Sequence, residues 1–379
     1  MKEKSYLGLF AILVWLFGCQ AGVNFAPAQP TATLVVVPQN SNTAVGQSPA
    51  QEVPDQSGQV GAFQSVDNPT IVPTSVVDPL RFVFPTQAPE PVSAWRPPLY
   101  PLPWEPTPYD HFYFARPISA DEINWPLANY RYGGVFFKNV VHTGVDIPVK
   151  TGTPVIAAGP GRINWAGYGL YRGMHDPTDP YGLAVVIRHE FGYDGQTLYT
   201  VYGHLSRIDV TVGQPVETGD MLGLSGATGN VTGPHLHFEV RIGGNSFSRS
   251  RNPELWMAPP QGWGVLAGSL MDVTGLYLPR EQVLIRSEDT GQKWTVISYG
   301  EGAANKDFYY NENVVIGDLP AGNYSIWLPK QTSDHLDLEI LPGRVSFFSF
   351  QQGYGFNPNL PPTPGTDFIP PRITDFLTP

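Results

Sequence analysis

The amino-acid sequence predicts a mostly β protein, in which an antiparallel β-sheet domain that forms a groove is followed by a smaller β-sandwich. Short β-branched segments recur along the chain, separated by glycine and proline, which is typical of strands and turns. Glycine and proline are both abundant, at 40 residues each. No long segment carries the 3.6-residue apolar period of an amphipathic helix.

Length and composition limit the possible partners. With 379 residues, of which 41% are hydrophobic, the chain is long enough for two domains with apolar cores. It carries 33 acidic and 22 basic residues, a net charge of −11, which argues against nucleic acid or an anionic membrane surface as the main partner. The single cysteine excludes a disulfide framework.

The first 19 residues are predicted to be an export signal. Lys2 and Lys4 precede an apolar run over residues 7–17, which is short for a membrane span. The run ends in L-F-G-C, which resembles the lipobox of bacterial lipoproteins and implies a lipid anchor on Cys19, at the outer face of the membrane in the cell envelope. The alternative is an ordinary signal or uncleaved anchor with an incidental cysteine.

Residues 20–109 are predicted to be a disordered tether. They are rich in proline, glutamine, serine and threonine, with few charges and no sustained period. The tether would let an anchored domain reach outward, or it is only a spacer. Aromatic residues become frequent over residues 95–113, so we expect this end to pack on the next domain.

Residues 110–258 are predicted to form the first folded domain. A turn followed by a short strand is expected over residues 214–223, and residues 168–182 are expected to form an exposed loop that shapes substrate access through Tyr171, His175 and Tyr181. The other predicted strands are 155–159, 162–167, 183–189, 197–205 and 235–242.

Residues 262–351 are predicted to form the β-sandwich, followed by a disordered tail over residues 352–379. Residues 316–328 and 341–350 resemble the carboxypeptidase regulatory-like and prealbumin-type sandwiches, which implies a fold and no activity. The predicted strands are 276–279, 282–286, 294–299, 313–317, 323–328, 336–340 and 344–350.

The segment G-P-H-L-H-F-E-V, residues 233–240, contains two histidines two positions apart. In a strand such positions lie on one face, about 6.6 Å apart along the chain. His235 and His237 are therefore expected to face one site, with Leu236 and Phe238 in the core behind them. Glu239 and the nearby Arg241 are expected either to orient the ligands or to form an exposed pair on the strand.

The segment H-T-G-V-D, residues 142–146, pairs an imidazole with a carboxylate. In a straight strand their Cα atoms would be about 13 Å apart, too far to share an ion, so we expect a bend at Gly144. Alone, such a pair is more often found at a surface or a cap.

Taken together with Y-G-H-L-S at residues 202–206, these motifs resemble the lysostaphin-type (LytM) zinc metallopeptidase family. The resemblance implies zinc as the cofactor, with His142, Asp146 and His237 as ligands and water in the fourth position. It also implies that His204 and His235 act beside the metal, and their separate roles stay open.

The function implied by this resemblance is that of an exported zinc metalloendopeptidase. Its substrates would be peptide cross-links or stem peptides of bacterial peptidoglycan, attacked by a zinc-activated water. One alternative is a non-catalytic LytM-type module that binds the wall or activates an amidase, but such relatives lack some of the five residues present here. Another is a peptidase that acts on extracellular proteins.

Overall fold

A computed structural model describes residues 99–118, 126, 128–135, 140–302 and 304–358, and the backbone of residues 373–375. All of these residues fall within one compact unit, Pro73–Pro379. The predicted signal segment, Cys19 and most of the predicted tether lie outside the described residues. Within the part that the structure describes, no helix is long and apolar enough to cross a membrane.

The first sheet has ten strands, and the main path through it runs β1-β8-β5-β4-β3-β6. Every pairing within this sheet is antiparallel, as the sequence predicts. Its first nine strands are β1 (Val145–Pro148), β2 (Pro154–Ile156), β3 (Gly161–Gly167), β4 (Leu183–Tyr193), β5 (Gln196–Ile208), β6 (Pro215–Val216), β7 (Met221–Ser225), β8 (His235–Ile242) and β9 (Ser250–Arg251).

Two stacked four-stranded sheets follow, in the orders β13-β10-β16-β17 and β12-β11-β14-β15. Their facing side chains form one apolar cluster, which gives the arrangement of a β-sandwich. The strands are β10 (Trp263–Met271), β11 (Gln282–Ser287), β12 (Lys293–Ile297), β13 (Val314–Pro320), β14 (Gly322–Trp327), β15 (His335–Ile340), β16 (Val345–Gln351) and β17 (Gly355–Asn357).

Helical structure in the described residues is limited to single 3₁₀ turns. They span Ala128–Tyr130, Phe247–Arg249 and Pro253–Leu255. The last turn begins with the Asn252 side chain accepting a hydrogen bond from the Glu254 amide, as expected for an N-cap. The chain therefore has the mostly β fold that its sequence predicts.

The strands of the sandwich differ from the prediction in two places. β10 is absent from the prediction because its continuous apolar sequence shows no alternation, and it pairs in parallel with β16. Residues 276–279 were predicted to form a strand but make only one bridge, from Tyr277 to Met271. They follow a tight turn in which Asp272 Oδ1 accepts hydrogen bonds from the amides of Thr274 and Leu276.

Both predicted disordered segments contain residues that are packed. In the segment 352–379, β17 pairs with β16, and Phe356 packs on Phe350 with ring centroids 5.1 Å apart. The backbone of β18 (Ile373–Asp375) pairs with β4. At these residues the chain is extended and paired rather than disordered. Near the end of the tether, Trp104 Nε1 donates a hydrogen bond to the Gly343 carbonyl, which agrees with the packing expected there.

The core of the first sheet continues into the sandwich. One buried apolar cluster includes residues of the first sheet, such as Leu236 and Phe238, together with Val265, Val315 and Phe347 of the sandwich. The sandwich therefore supports the first sheet directly, in addition to being joined to it by the chain.

Candidate metal centre

Three side chains converge in the first sheet, where β1 pairs with β8. His142 Nε2 lies 3.0 Å from Asp146 Oδ1 and 3.0 Å from His237 Nδ1, and His237 Nδ1 lies 2.8 Å from the same Asp146 oxygen. All three residues are buried, at 6%, 4% and 5% exposure. They are the one group among the described residues whose donor atoms are placed to share a metal ion.

Strand pairing explains this convergence. β1 and β8 are antiparallel neighbours in which Asp146 lies opposite His237, so both side chains project from the same face of the sheet. The chain bends at Gly144, as predicted, and a Cβ there would lie 2.5 Å from the Phe238 carbonyl oxygen and 2.8 Å from His237 Cε1. Only glycine lets the segment that carries His142 approach β8 so closely.

The imidazoles of His142 and His237 are both oriented by a second hydrogen bond. His142 Nδ1 donates to the Arg131 carbonyl at 3.0 Å, and His237 Nε2 donates to Glu239 Oε1 at 3.0 Å. When the two rings are neutral, as metal binding requires, these bonds fix the tautomers, so that His142 Nε2 and His237 Nδ1 each direct a lone pair toward the cluster. Histidines that bind metals usually have such a partner on the other ring nitrogen.

Glu239 is fully buried and is the centre of a hydrogen-bond network. Its Oε1 also accepts from Thr143 Oγ1 at 2.5 Å and from the Tyr181 hydroxyl at 2.7 Å, and its Oε2 accepts from Arg241 Nε at 2.6 Å. Arg241 also donates to the Tyr181 oxygen at 2.9 Å. The structure therefore agrees with the hypothesis that Glu239 orients a candidate ligand, and not with an exposed pair.

The cluster favours positive charge. Burial alone would raise the pKa of Asp146, but His142 and His237 outweigh it and hold this pKa well below the usual value. Burial would likewise lower the pKa of His237, but its hydrogen bonds to the carboxylates of Asp146 and Glu239 raise it to about 9. These two carboxylates, one at each nitrogen of the ring, thus stabilise positive charge on His237.

His204 and His235 lie beside this cluster. Their ring centroids are 4.6 Å apart, and His204 is 5.6 Å from the His237 ring. His204 Nδ1 donates to the Thr228 carbonyl and His235 Nδ1 to the Gly233 carbonyl, both at 2.8 Å. Each therefore has Nε2 free of these bonds, and His235 Nε2 lies 3.4 Å from Asp146 Oδ2.

Both of these histidines are electrically neutral at pH 7. Burial, followed by the nearby His237, lowers the pKa of His204 to about 3, and burial also lowers the pKa of His235. The backbone of His204 has φ of 62°, in the left-handed region that side chains other than glycine seldom adopt. Such conformations are often found at functional sites.

The five residues open into one cavity of about 320 Å³. Tyr171 and Tyr181 line it, as predicted, and Tyr171 stacks on Phe247 with ring centroids 5.2 Å apart. His175, predicted to join them, does not line the cavity, and its ring contacts Tyr168 instead. On the exposed side, the Tyr130 hydroxyl lies 3.0 Å from Thr232 Oγ1.

The donor set fits a catalytic metal ion. Two nitrogens and one oxygen separated by 2.8–3.0 Å approach the spacing of about 3.3 Å between ligands about 2.0 Å from a tetrahedral ion. Three protein ligands beside a cavity leave a coordination position for water, as in catalytic zinc sites. The carbonyls of Arg131, Thr228 and Gly233 accept hydrogen bonds from His142, His204 and His235. The sequence alone did not indicate these three contacts, because any residue type can supply a carbonyl.

Fold and site together define a β-sheet protein with a candidate His-Asp-His metal site in a cleft. Residues 140–249 match peptidase family M23. This range contains all five residues singled out from the sequence, and over it the chain belongs to that family.

Known relatives match a limited part of the chain. Sequence identity is 37% over 128 residues with the DD-carboxypeptidase/endopeptidase Mpg of Neisseria meningitidis, covering 34% of this chain and 26% of that protein. With the peptidoglycan DD-endopeptidase ShyA of Vibrio cholerae it is 42% over 104 residues, covering 27% and 21%. The chain thus spans about a quarter of the length of these relatives or less.

Among solved structures, the catalytic domain of the antimicrobial peptidase lysostaphin from Staphylococcus simulans shares 32% sequence identity with this chain. The match covers 33% of this chain and 85% of that domain, with a TM-score of 0.28.

Proposed function

We propose that the protein is an exported zinc metalloendopeptidase that hydrolyses peptide cross-links or stem peptides of bacterial peptidoglycan. The observation that carries this proposal is the arrangement of five side chains in one cleft. His142, Asp146 and His237 present three donor atoms, and His204 and His235 stand beside them as neutral imidazoles. The peptidoglycan DD-endopeptidase among its relatives supports the choice of substrate.

In this proposal the three donors hold Zn²⁺, which when bound polarises the scissile carbonyl and makes water nucleophilic near neutral pH. His204 and His235 act on protons, since the Nε2 atom of each is free to accept one from the attacking water. Once protonated, the same nitrogen donates a hydrogen bond to the developing oxyanion or a proton to the leaving amine. Buried Glu239 and the Arg131 carbonyl hold the ligand rings in place.

Hydrolysis of purified peptidoglycan tests this proposal. The zinc-loaded protein is expected to clear wall material in a gel and to release muropeptides with new amino termini, and a chelator should abolish both. His235→Ala and His204→Ala are each expected to lower kcat by about 10²–10⁴-fold while stoichiometric zinc is retained, because general acid–base groups contribute rate enhancements of that size.

Activity that survives both chelation and His237→Ala would refute the mechanism. A folded protein that binds peptidoglycan without hydrolysing it would instead identify a wall-binding or amidase-activating module. Cleavage of extracellular proteins with no release of muropeptides would change the substrate class.

We also propose that the protein is lipid-anchored through Cys19. The cysteine stands directly after an apolar segment preceded by Lys2 and Lys4, where a lipoprotein signal places it. Labelling with palmitate in a bacterial host should mark the wild type and not Cys19→Ala, and equal labelling of both would contradict the anchor.

A further inference from the structure

Residues 131–134 form the surface against which His142 is held. His142 Nδ1 donates to the Arg131 carbonyl at 3.0 Å, and the His142 amide donates to the Gly134 carbonyl at 2.8 Å. In return the Gly133 amide donates to the His142 carbonyl at 2.8 Å. These three bonds fix both the backbone and the ring of His142, so any displacement of residues 131–134 moves a candidate metal ligand.

The same four residues are bound on their other side to the β-sandwich. The Arg131 guanidinium forms a buried ion pair with Glu254. The Glu254 oxygen in this pair, Oε1, also accepts the amide of Gly317, in β13, at 2.8 Å. An arginine, a glutamate and a strand amide therefore connect the sandwich to the carbonyl that orients His142.

Gly133 makes a second connection, through its backbone. Its carbonyl accepts the Gly300 amide at 2.8 Å. Gly133 has φ of 77°, and a Cβ there would lie 2.3 Å from Cδ1 of Tyr299, so the Tyr299 ring packs directly on the backbone. Residues 299 and 300 follow the end of strand β12 by two and three residues, so this contact also belongs to the sandwich.

Tyr132 makes a third connection. Its hydroxyl donates to the Asn305 carbonyl at 3.1 Å and accepts the Asn305 amide at 2.8 Å. Its ring meets Tyr299 edge-on, with centroids 5.2 Å apart. At 1% exposure the side chain is fully enclosed between the two parts of the molecule.

From these contacts we infer that the β-sandwich positions the metal ligand His142 through residues 131–134, with Arg131 as the principal positioning residue. The inference rests on the proposed function, since it takes His142 to be a ligand. The sandwich is then part of the metal centre's support, and its contacts with residues 131–134 set the affinity of the site for zinc.

A second buried ion pair provides a matched control. Arg116 pairs with Asp318, the residue that follows Gly317 in β13. It spans the same interface as the Arg131 pair, and its side chains are similarly buried, at 10% and 7% exposure against 3% and 6%. The Arg116 carbonyl, however, receives no hydrogen bond from His142, whose Nδ1 is bound to Arg131.

The experiment compares Arg131→Met with Arg116→Met in the full chain. Zn²⁺ affinity is measured by competition with a chromophoric chelator, and unfolding temperature is measured on the metal-free proteins. Both variants should unfold at lower temperature, since each removes the arginine from a buried ion pair. Arg131→Met should raise the Kd for Zn²⁺ about 10-fold, as loss of ligand orientation commonly does. Arg116→Met should stay within about twofold of the wild type, and Arg131→Lys should restore most of the affinity.

Wild-type Zn²⁺ affinity in folded Arg131→Met, or an equal loss in Arg116→Met, would overturn the inference. If Arg131→Met does not fold, the Zn²⁺ affinity of Tyr132→Phe tests the inference instead. It keeps the ring and removes only the hydroxyl, with its hydrogen bonds to Asn305 and to the Ser250 carbonyl. It should raise the Kd about threefold, whereas an unchanged Kd would refute the positioning role. A wild type that binds zinc but hydrolyses no peptidoglycan refutes the proposed function and leaves this inference standing.

Discussion

Strands β8 and β11 have the same geometry but bury their two faces differently. In β8 all eight residues are buried: Leu236, Phe238, Val240 and Ile242 on one face, and His235, His237, Glu239 and Arg241 on the other. In β11, Val283 and Ile285 are buried, whereas Gln282 and Arg286 are exposed and Leu284 is half-buried. β11 follows the ordinary alternation of a sandwich strand, with one face in the core and one face in water.

The difference shows which part of the chain is specialised for function. A buried polar face destabilises a fold unless each group is hydrogen-bonded. β8 meets this condition through bonds made within its own face, since His237 donates to Glu239 and Arg241 donates to Glu239. β11 requires no such network because Gln282 and Arg286 reach solvent. The polar face of β8 is therefore expected to be critical for metal binding and catalysis, and the apolar face of β11 for stability.

The largest effect is expected where this contrast is sharpest, in a comparison of His237→Ala with Val283→Ala. His237→Ala removes a candidate zinc ligand and should lower peptidoglycan hydrolysis at least about 10³-fold, or about 4 kcal/mol of transition-state stabilisation, with loss of bound zinc. Val283→Ala leaves a cavity in the sandwich and should lower the free energy of unfolding by about 2 kcal/mol with wild-type zinc content. Zinc content by elemental analysis and chemical denaturation measure the two outcomes. Loss of zinc from Val283→Ala would contradict the prediction that β8 serves metal binding and β11 serves stability.

A second effect is expected at acid pH, from a buried histidine away from the metal cluster. Burial lowers the pKa of His189 to about 4, and its ring is held between the Pro160 carbonyl and Thr200. The unfolded chain, with a pKa near 6.5, binds a proton first, so His189 stabilises the fold fully above pH 6.5 and progressively less as the pH falls toward 4. This loss amounts to about 3 kcal/mol at pH 4.

Denaturation of the metal-free protein at pH 7 and pH 4 measures this contribution. His189→Gln should lose less stability than the wild type between these two pH values. His335→Gln, which changes a half-exposed histidine of the sandwich, controls for the loss of one histidine. The prediction is wrong if the pH dependence of His189→Gln equals that of the wild type.

The smallest of the three effects concerns the residue that orients His237. Glu239→Gln removes the negative charge that receives the His237 N–H and should weaken zinc binding by about 10–100-fold, with a corresponding fall in hydrolysis at limiting zinc. Glu288→Gln is its control, since Glu288 accepts a hydrogen bond from Ser325 in the sandwich. Chelator competition on both variants provides the measurement, and equal affinities would show that Glu239 does not orient the ligand.

Much of this fold was predictable because alternation and glycine placement are local signals. The antiparallel first sheet and the facing of His235 and His237 both follow from the two-residue period of a strand. The bend at Gly144 follows from the need to bring His142 and Asp146 together. The convergence of these residues with His204 depended on the order of their motifs, since no local rule relates strands so far apart in sequence.

The remaining features depend on tertiary contacts. β10 lies between β13 and β16 and is covered on both faces, so its sequence lacks the alternation that identifies a half-buried strand. The role of Arg131 depends on its main-chain oxygen, which its residue type does not reveal. The sequence predicted that His175 would line the cleft together with the rest of its loop. In the structure Tyr171 and Tyr181 line the cleft, whereas His175 packs against Tyr168.

The left-handed backbone at His204 has a consequence for how this protein can change. With φ of 62°, the residue holds its ring beside His235 in a conformation that costs about 1–3 kcal/mol for a side chain other than glycine. Glycine would relieve that cost but would remove the imidazole. Selection for a more stable fold therefore favours glycine at this position, whereas selection for activity favours histidine.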